Sequence, residues 1–266
     1  MLIKLYRFTQ QLGFDLRKTI KSPHGLIRYI FGLLKFIFKG GYKGRIVIAP
    51  YIHDWWEEAG AMKTEYFIQD LYVAKRIKKS GPNKHVDIGS RIDGFVANVA
   101  SFMEIQILDI RKLTDTFEGI SFYQIDLMNN FELEKYININ GSSKSLSCLH
   151  TIEHFGLGRY GDKIDVNGFK KGIKSLSTLL EIGGVLYLST PIGVERVEYN
   201  ANRVFAPNTI INLGEANNLK LKRLSIIDHN NIKIINVDFL NDLALEDLSN
   251  QHYNLGIFEF VKESTN

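Results

Sequence analysis

The sequence predicts an α/β domain, a mostly parallel sheet with helices on both faces, preceded by a basic helical arm. Three observations predict it. From about residue 46 onward, short branched apolar runs alternate with segments of helical periodicity, the pattern that buries parallel strands between helices. Several of these runs end in an acid or a glycine, and the carboxyl ends of parallel strands are where such sheets hold ligands. The chain has 266 residues, 45% hydrophobic and 23% charged, enough to bury a substantial core without disulfides.

Residues 1–45 form the arm. They carry ten basic side chains (Lys4, Arg7, Arg17, Lys18, Lys21, Arg28, Lys35, Lys39, Lys43 and Arg45) against one acid, Asp15. The net charge of +4 therefore hides a basic arm and an acidic remainder. GLIRYIFGLLKFIFKGG is the most apolar stretch, yet Arg28 and Lys35 interrupt it well short of the roughly 20 apolar residues that span a bilayer. Arg28, Gly32, Lys35 and Lys39 share one helical face, with Ile30, Leu33, Leu34, Ile37 and Phe38 on the others. Such a helix suits an anionic membrane surface, a membrane-bound partner or its own domain. Nucleic acid is a poor fit, because no stripe of basic and aromatic residues interleaves on the acidic remainder. No apolar core with a small-residue cleavage site opens the sequence, so a cytoplasmic protein is expected, peripheral to the inner membrane where the arm docks. In HDWW, Trp55 and Trp56 suit stacking on a sugar ring or packing of the arm.

The second domain, 46–266, begins with a helix through YFIQDLYVAKRIKKS, capped by Thr64 and stopped at Gly81-Pro82. HVDI, EIQILDI, ISFYQIDL and SLSCLH read as buried strands, with the amphipathic GFVANVASFM between the first two. Cys148, the single cysteine, lies in the last of these and reads as a buried thiol. A helix is expected over 165–182, ended by Gly183-Gly184. GVLYLSTP follows as a strand and FAPNTIINLGEANN as a helix. LKLKRLSII, NIKIINVDFL and YNLGIFEFVKE close the sheet.

VDIGSRIDGF places Asp87 and Gly89 at a strand end and Gly94 at a helix start, where backbone approaches a ligand closely. The dinucleotide fingerprint G-x-G-x-x-G is not met, which disfavours a nicotinamide enzyme. Asp109 ends the next strand, twenty residues beyond Gly89, where an acid accepts hydrogen bonds from ribose hydroxyls. Asp126 ends the third. HTIEHFGLGRYGD, residues 150–162, matches H-x-x-E-H, a zinc protease pattern that requires a helix to converge its two histidines. Here the segment follows a strand and runs into glycines, leaving little room for a helix, and His53, His85, His229 and His252 give no assigned further ligand. His154 is a candidate general base, with Glu153 beside it and Asp162 as a substitute; the alternative is that His154 and Glu153 only organise the loop. PIGVERVEYNANR gathers Glu195, Arg196, Glu198, Asn200, Asn202 and Arg203 into a polar loop suited to a hydroxyl-rich or anionic acceptor, or to surface ion pairs.

In order, VDIGSRIDG, ILDIR, YQIDL, LHTIEHFGLGRYGD and GGVLYLSTPIG resemble the motifs of class I S-adenosylmethionine-dependent methyltransferases. More narrowly, the run from about Tyr66 to Pro207 is similar to a branch of methyltransferase-like proteins encoded with bacterial surface-polysaccharide enzymes. The resemblance implies a Rossmann-like fold on a mostly parallel seven-stranded sheet, S-adenosylmethionine as cofactor, and O-methylation of a saccharide, nucleotide sugar or glycan. It implies that Asp87 and Gly89 border the methionine moiety, with Arg91 near its carboxylate, and that Gly94 and His150 complete that side. Asp109 would hold the ribose and Asp126 the adenine amine. Arg159, Glu195, Arg196, Asn200 and Arg203 would face the acceptor. Contact of the arm with a membrane-bound glycosyltransferase fits the same setting. One departure stands out: Arg91 and Asp93 replace the second and third glycines of the acidic-x-Gly-x-Gly-x-Gly loop, with Gly94 one place late. That departure keeps two other readings open, a non-catalytic scaffold or regulator with a degenerate donor pocket and a metal-assisted methyltransferase using Glu153, His154 and His150.

Overall fold

A computed structural model describes residues 6, 9–39, 41–230 and 232–264; Lys4 and Arg7 of the basic arm lie outside the described residues. The chain forms two compact units, Met1–Ala61 and Met62–Asn266.

In the first unit the expected helix is longer than its most apolar stretch, running as α1 from Leu16 to Lys39 through Pro23. Its start is fixed by Asp15, whose carboxylate accepts from the Arg17 and Lys18 N–H groups at 2.9 and 3.1 Å, the usual way to satisfy orphan donors of a first turn. Gly25 is buried where the chain returns across the helix: a Cβ there would stand 2.0 Å from the Ile52 carbonyl oxygen. A short 3-10 turn, Asp54–Trp56, follows, and the Arg28 guanidinium lies over the Trp55 ring at 3.3 Å.

The second unit opens with α2, Glu65–Ser80. Thr64 caps it as expected, its hydroxyl accepting from Phe67 N at 3.2 Å, a bond worth about 1 kcal/mol. Gly81 ends it in the left-handed conformation, φ 62°. The elements that follow are β1 (His85–Ile88), α3 (Ala97–Ala100), β2 (Ile105–Asp109), β3 (Ile120–Gln124), α4 (Asn130–Asn140), β4 (Ser143–Leu149), α5 (Gly168–Leu179) and β5 (Leu180–Ile192). After these come β6 (Arg196–Glu198), β7 (Asn202–Val204), α6 (Pro207–Glu215), β8 (Leu219–Ile227), β9 (Ile234–Val237), α7 (Asp242–Asn250) and β10 (Asn254–Lys262).

The main sheet has the order β3-β2-β1-β4-β5-β10-β8-β9. Strands β1 to β5 pair in parallel, whereas β10 runs antiparallel between β5 and β8. The α/β expectation holds, with one correction: the sheet has eight strands, because β9 folds back on β8 as an antiparallel edge. Three further differences are local. GFVANVASFM is not one regular helix, since a π turn at Ile92–Val96 kinks at Gly94 (φ −124°, ψ −107°) before α3. The helix expected over 165–182 is shorter, ending at Leu179, where β5 takes over. The polar loop after β5 forms the hairpin β6–β7, turned by Asn200 at φ 61°.

Two apolar layers clamp the sheet. On one, α5 buries Ile173, Leu176 and Leu179 with Leu133 and Tyr136 of α4 against the strands; on the other, α2 and the π turn bury Val73, Ile77, Phe95 and Val96. Each such side chain contributes about 1.5–3 kcal/mol on burial. Cys148 is buried within β4, and burial pushes its thiol far up. Strand order reverses between β1 and β4, which opens a crevice at their carboxyl ends.

Candidate functional site

That crevice is a pocket lined by Gly89, Asp109, Arg111, Asp126, His150, His154, Tyr160 and Asp162 among others. It adjoins a second, open depression reached by Tyr66, Asp70, Arg91, Gly94, Arg159 and Asn202, with Gly89, Arg111, His150, His154 and Tyr160 lining both.

The strand ends supply the first rim. Asp87, fully buried, accepts from Ser90 N at 3.1 Å, from Ser90 Oγ at 2.9 Å and from Ser147 Oγ. Burial still dominates and pushes its carboxyl up to about 7. The acid thus shapes the turn from behind. Gly89, at φ +76°, must be glycine twice over: the conformation excludes a side chain, and a Cβ would stand 2.3 Å from Thr151 Cγ2. Gly94 is bare for a related reason, a Cβ there standing 2.7 Å from Asp70 Oδ2. Asp70 is buried, and burial raises its pKa. Arg91 is exposed and pairs with Asp93 through two hydrogen bonds, 2.9 and 2.6 Å.

Asp109 ends β2 and is nearly buried. Both its oxygens accept from Arg111, which also donates to the Gly89 carbonyl at 3.0 Å and lies over the Tyr160 ring at 4.9 Å. Asp126 lies two residues beyond the end of β3, where it was expected to close the strand. Its Oδ1 accepts from Met128 N at 2.8 Å, and burial raises its pKa.

The loop after β4 supplies the second rim. His150 takes the left-handed conformation, φ 53°, rare for a non-glycine residue, held by its N–H to Ser189 Oγ at 2.9 Å. Its ring stacks on Tyr66 at 4.9 Å and its Nδ1 is hydrogen-bonded to Glu153 Oε1. Burial alone would lower the His150 pKa, but the Glu153 carboxylate outweighs it and raises it. A single 3-10 turn, Ile152–His154, follows. The two histidines therefore converge on Glu153 without the long helix that the sequence argument required. Candidate ligand atoms of His150, Glu153 and His154 all lie within 4.8 Å of one another. Within that group His150 Nδ1 and Glu153 Oε1 are hydrogen-bonded to each other.

His154 is arranged differently. Its Nδ1 donates to the Ala201 carbonyl at 2.7 Å, which fixes the tautomer and leaves Nε2 with a lone pair. Among the described residues Nε2 has no hydrogen bond; Glu153 Oε1 is 3.8 Å away and the Tyr160 ring packs edge-on. Burial lowers the His154 pKa, so the ring is neutral near pH 7. Asp162, expected as a substitute base, has both oxygens occupied: Oδ2 accepts from Gly156 N and Gly158 N at 2.8 and 3.1 Å, and Oδ1 from Tyr160 N at 3.2 Å. It holds the glycine-rich loop.

The residues assigned to the acceptor side separate. Arg159 reaches the depression and donates to the Ala201 carbonyl at 2.9 Å. Arg203 is buried under the loop, donating to the Glu153 and Phe155 carbonyls at 3.2 and 2.6 Å. Glu195 caps α6 through Ala206 N and Thr209 Oγ1, Arg196 binds Glu198 and the His252 carbonyl, and Asn200 forms the hairpin turn. Sequence reasoning did not single out Arg111, Tyr160, Asp70 or Thr151. Only Arg111 carried a signal, a cation two places from the ribose-type acid.

A family model described as "Caenorhabditis protein of unknown function, DUF268" matches residues 96–213. No curated protein matches the chain. Among solved structures, the chain is similar to the N-methyltransferase NodS of Bradyrhizobium japonicum in complex with S-adenosyl-L-homocysteine. The TM-score is 0.50 at 10% identity, over 76% of this chain and 89% of that one. It is also similar to an O-methyltransferase family protein of Burkholderia thailandensis, at TM-score 0.45 and 11% identity over 75% of this chain. There the chain spans 58% of the relative's length. A third is the 1,6-didemethyltoxoflavin-N1-methyltransferase of the same organism, at TM-score 0.47 and 9% identity over 92% and 91%. The fold is that of the class I methyltransferases.

Proposed function

We propose that this chain transfers a methyl group from S-adenosylmethionine to a hydroxyl of a saccharide precursor or glycan, in surface-polysaccharide biosynthesis. The observation that carries the reading is His154, a neutral imidazole with Nδ1 anchored and Nε2 unpartnered at the junction of the two depressions. The donor side suits the cofactor in that Gly89, Asp109 and Asp126 line one cavity, where Asp109 would take ribose hydroxyls in exchange for Arg111 and Asp126 an adenine amine. NodS, with S-adenosyl-L-homocysteine, supports that assignment through its shared fold.

Bound there, S-adenosylmethionine supplies an electrophilic methyl on sulfur. The chain aligns the acceptor oxygen for in-line displacement, which can contribute much of the rate. His154 Nε2 receives the hydroxyl proton as that oxygen takes the methyl group. Glu153, fully buried 3.8 Å away, stabilises the imidazolium that results. Arg159 and Asn202, at the open edge, bind acceptor hydroxyls or an anionic group.

The experiment is transfer of labelled methyl from S-adenosylmethionine to a panel of nucleotide sugars and glycans. Transfer abolished by His154→Ala supports the reading; no transfer to any hydroxyl acceptor, with the donor bound, contradicts it. One observation favours a second reading, a non-catalytic protein of the same fold: Arg111 grips Asp109 and Gly89 inside the donor side. That reading requires no cofactor binding at all.

A further inference from the structure

We propose that α1 lies on an anionic membrane surface, with its apolar face in the lipid. The inference stands apart from the methyl-transfer reading and rests on the first unit alone.

At 1.5 Å per residue, the 24 residues of α1 form a rod about 36 Å long. Ile20, Ile27, Ile30, Phe31, Leu34 and Phe38 fall on one side at helical spacing. They stand open: Ile20 is 79% exposed, Phe31 69% and Phe38 81%. The charge lies on the flank beside it, part of which its own unit covers, with Gly25 under Ile52, Arg28 over Trp55 and Lys21 beside the Trp56 ring, while Arg17, Lys18, Lys35 and Lys39 are exposed. Exposed apolar ribbons of this size mark an interaction surface. Charge selects the partner. Arg17, Lys18, Lys21, Arg28, Lys35 and Lys39 meet no acid anywhere between Leu16 and Lys39. An anionic lipid surface takes the apolar side and attracts the cations that flank it. A second copy of the helix would bring six more cations and no acid. No helix among the described residues is long and apolar enough to cross a membrane, so the contact is parallel to the surface.

The test is co-sedimentation of the full chain with vesicles of phosphatidylcholine alone and of phosphatidylcholine mixed with phosphatidylglycerol. Binding to the mixed vesicles should be at least about tenfold tighter than to phosphatidylcholine alone and should weaken with salt. The double variant Ile27→Asp/Phe31→Asp, checked for folding by circular dichroism, should lose at least about tenfold on the mixed vesicles. Equal binding to both compositions, binding to neither, or unaltered binding by the double variant overturns the proposal. So does self-association abolished by the double variant without any vesicle binding. The wild-type comparison of compositions keeps the test decisive even where the variant misfolds.

Discussion

The two rims of the cavity are built on opposite plans. On the rim made by the ends of β1, β2 and β3, every acid is already engaged: Asp87 by Ser90 and Ser147, Asp109 by Arg111, Asp126 by Met128 N. On the rim after β4, His154 keeps one nitrogen without a hydrogen bond. The difference matches the chemistry proposed for each side. Each oxygen of Asp109 already accepts two hydrogen bonds from Arg111, so on the proposed reading a ribose hydroxyl takes the place of one of them. A neutral imidazole has a single acceptor nitrogen, and a base must keep it free. On the proposed reading the first rim binds the donor and the second keeps its base free.

Breaking the second rim has the largest expected effect. His154→Ala should lower turnover by about 10²–10⁴-fold while donor affinity, measured by calorimetry, stays within about threefold. In the wild type, burial holds the His154 pKa below its ordinary value. The basic form is therefore kept at lower pH than for a free imidazole, and activity should fall only as pH drops below the usual imidazole range. A loss of donor binding together with turnover in His154→Ala would erase the distinction between the rims.

Asp109→Ala breaks the first rim. It removes hydrogen bonds to a charged group, worth about 1.5–3 kcal/mol, and should weaken donor binding by about 10–100-fold with turnover at saturating donor nearly unchanged. Arg203→Ala tests what holds the second rim in place. It leaves the Glu153 and Phe155 carbonyls without their buried donor, so unfolding free energy should drop by about 1–3 kcal/mol, measured by denaturant titration. The effect that is smallest per pH unit concerns the base of the first rim. Asp87 has a folded-state pKa of about 7, above the ordinary 3.8. Between those values the folded chain holds a proton that the unfolded chain has lost, so stability falls as pH rises through the window. The slope is at most about 1.4 kcal/mol per pH unit. Asp87→Asn should flatten it in thermal melts recorded across that range.

The sequence named residues of both rims, and the geometry of the second was the less legible, for physical reasons. Parallel strands declare themselves by short apolar runs such as HVDI and IQILD, and their ends by the acid or glycine that follows. The turn after β1 needs glycine for its left-handed φ and for the close approach of Thr151, and the sequence shows one at Gly89. Elements with thin apolar stripes escaped: α4 buries only Leu133 and Tyr136, and α7 only Leu245 and Leu248, while β6 and β7 are three-residue strands. The convergence of His150 and His154 on Glu153 depends on a histidine at φ 53°, which no residue type announces. The roles of Asp162 and Arg203 depend on which backbone groups the folded loop turns toward them. Periodicity also stops short of naming a partner. α5 and α1 carry equally clear apolar stripes, yet α5 buries its stripe in the core and α1 leaves it exposed.

The measurement closest to the central claim is calorimetric titration of the full chain with S-adenosylmethionine and S-adenosylhomocysteine. The account predicts saturable binding of both at one site per chain, weakened by Asp109→Ala and retained by His154→Ala. No binding of either ligand by demonstrably folded protein would contradict it.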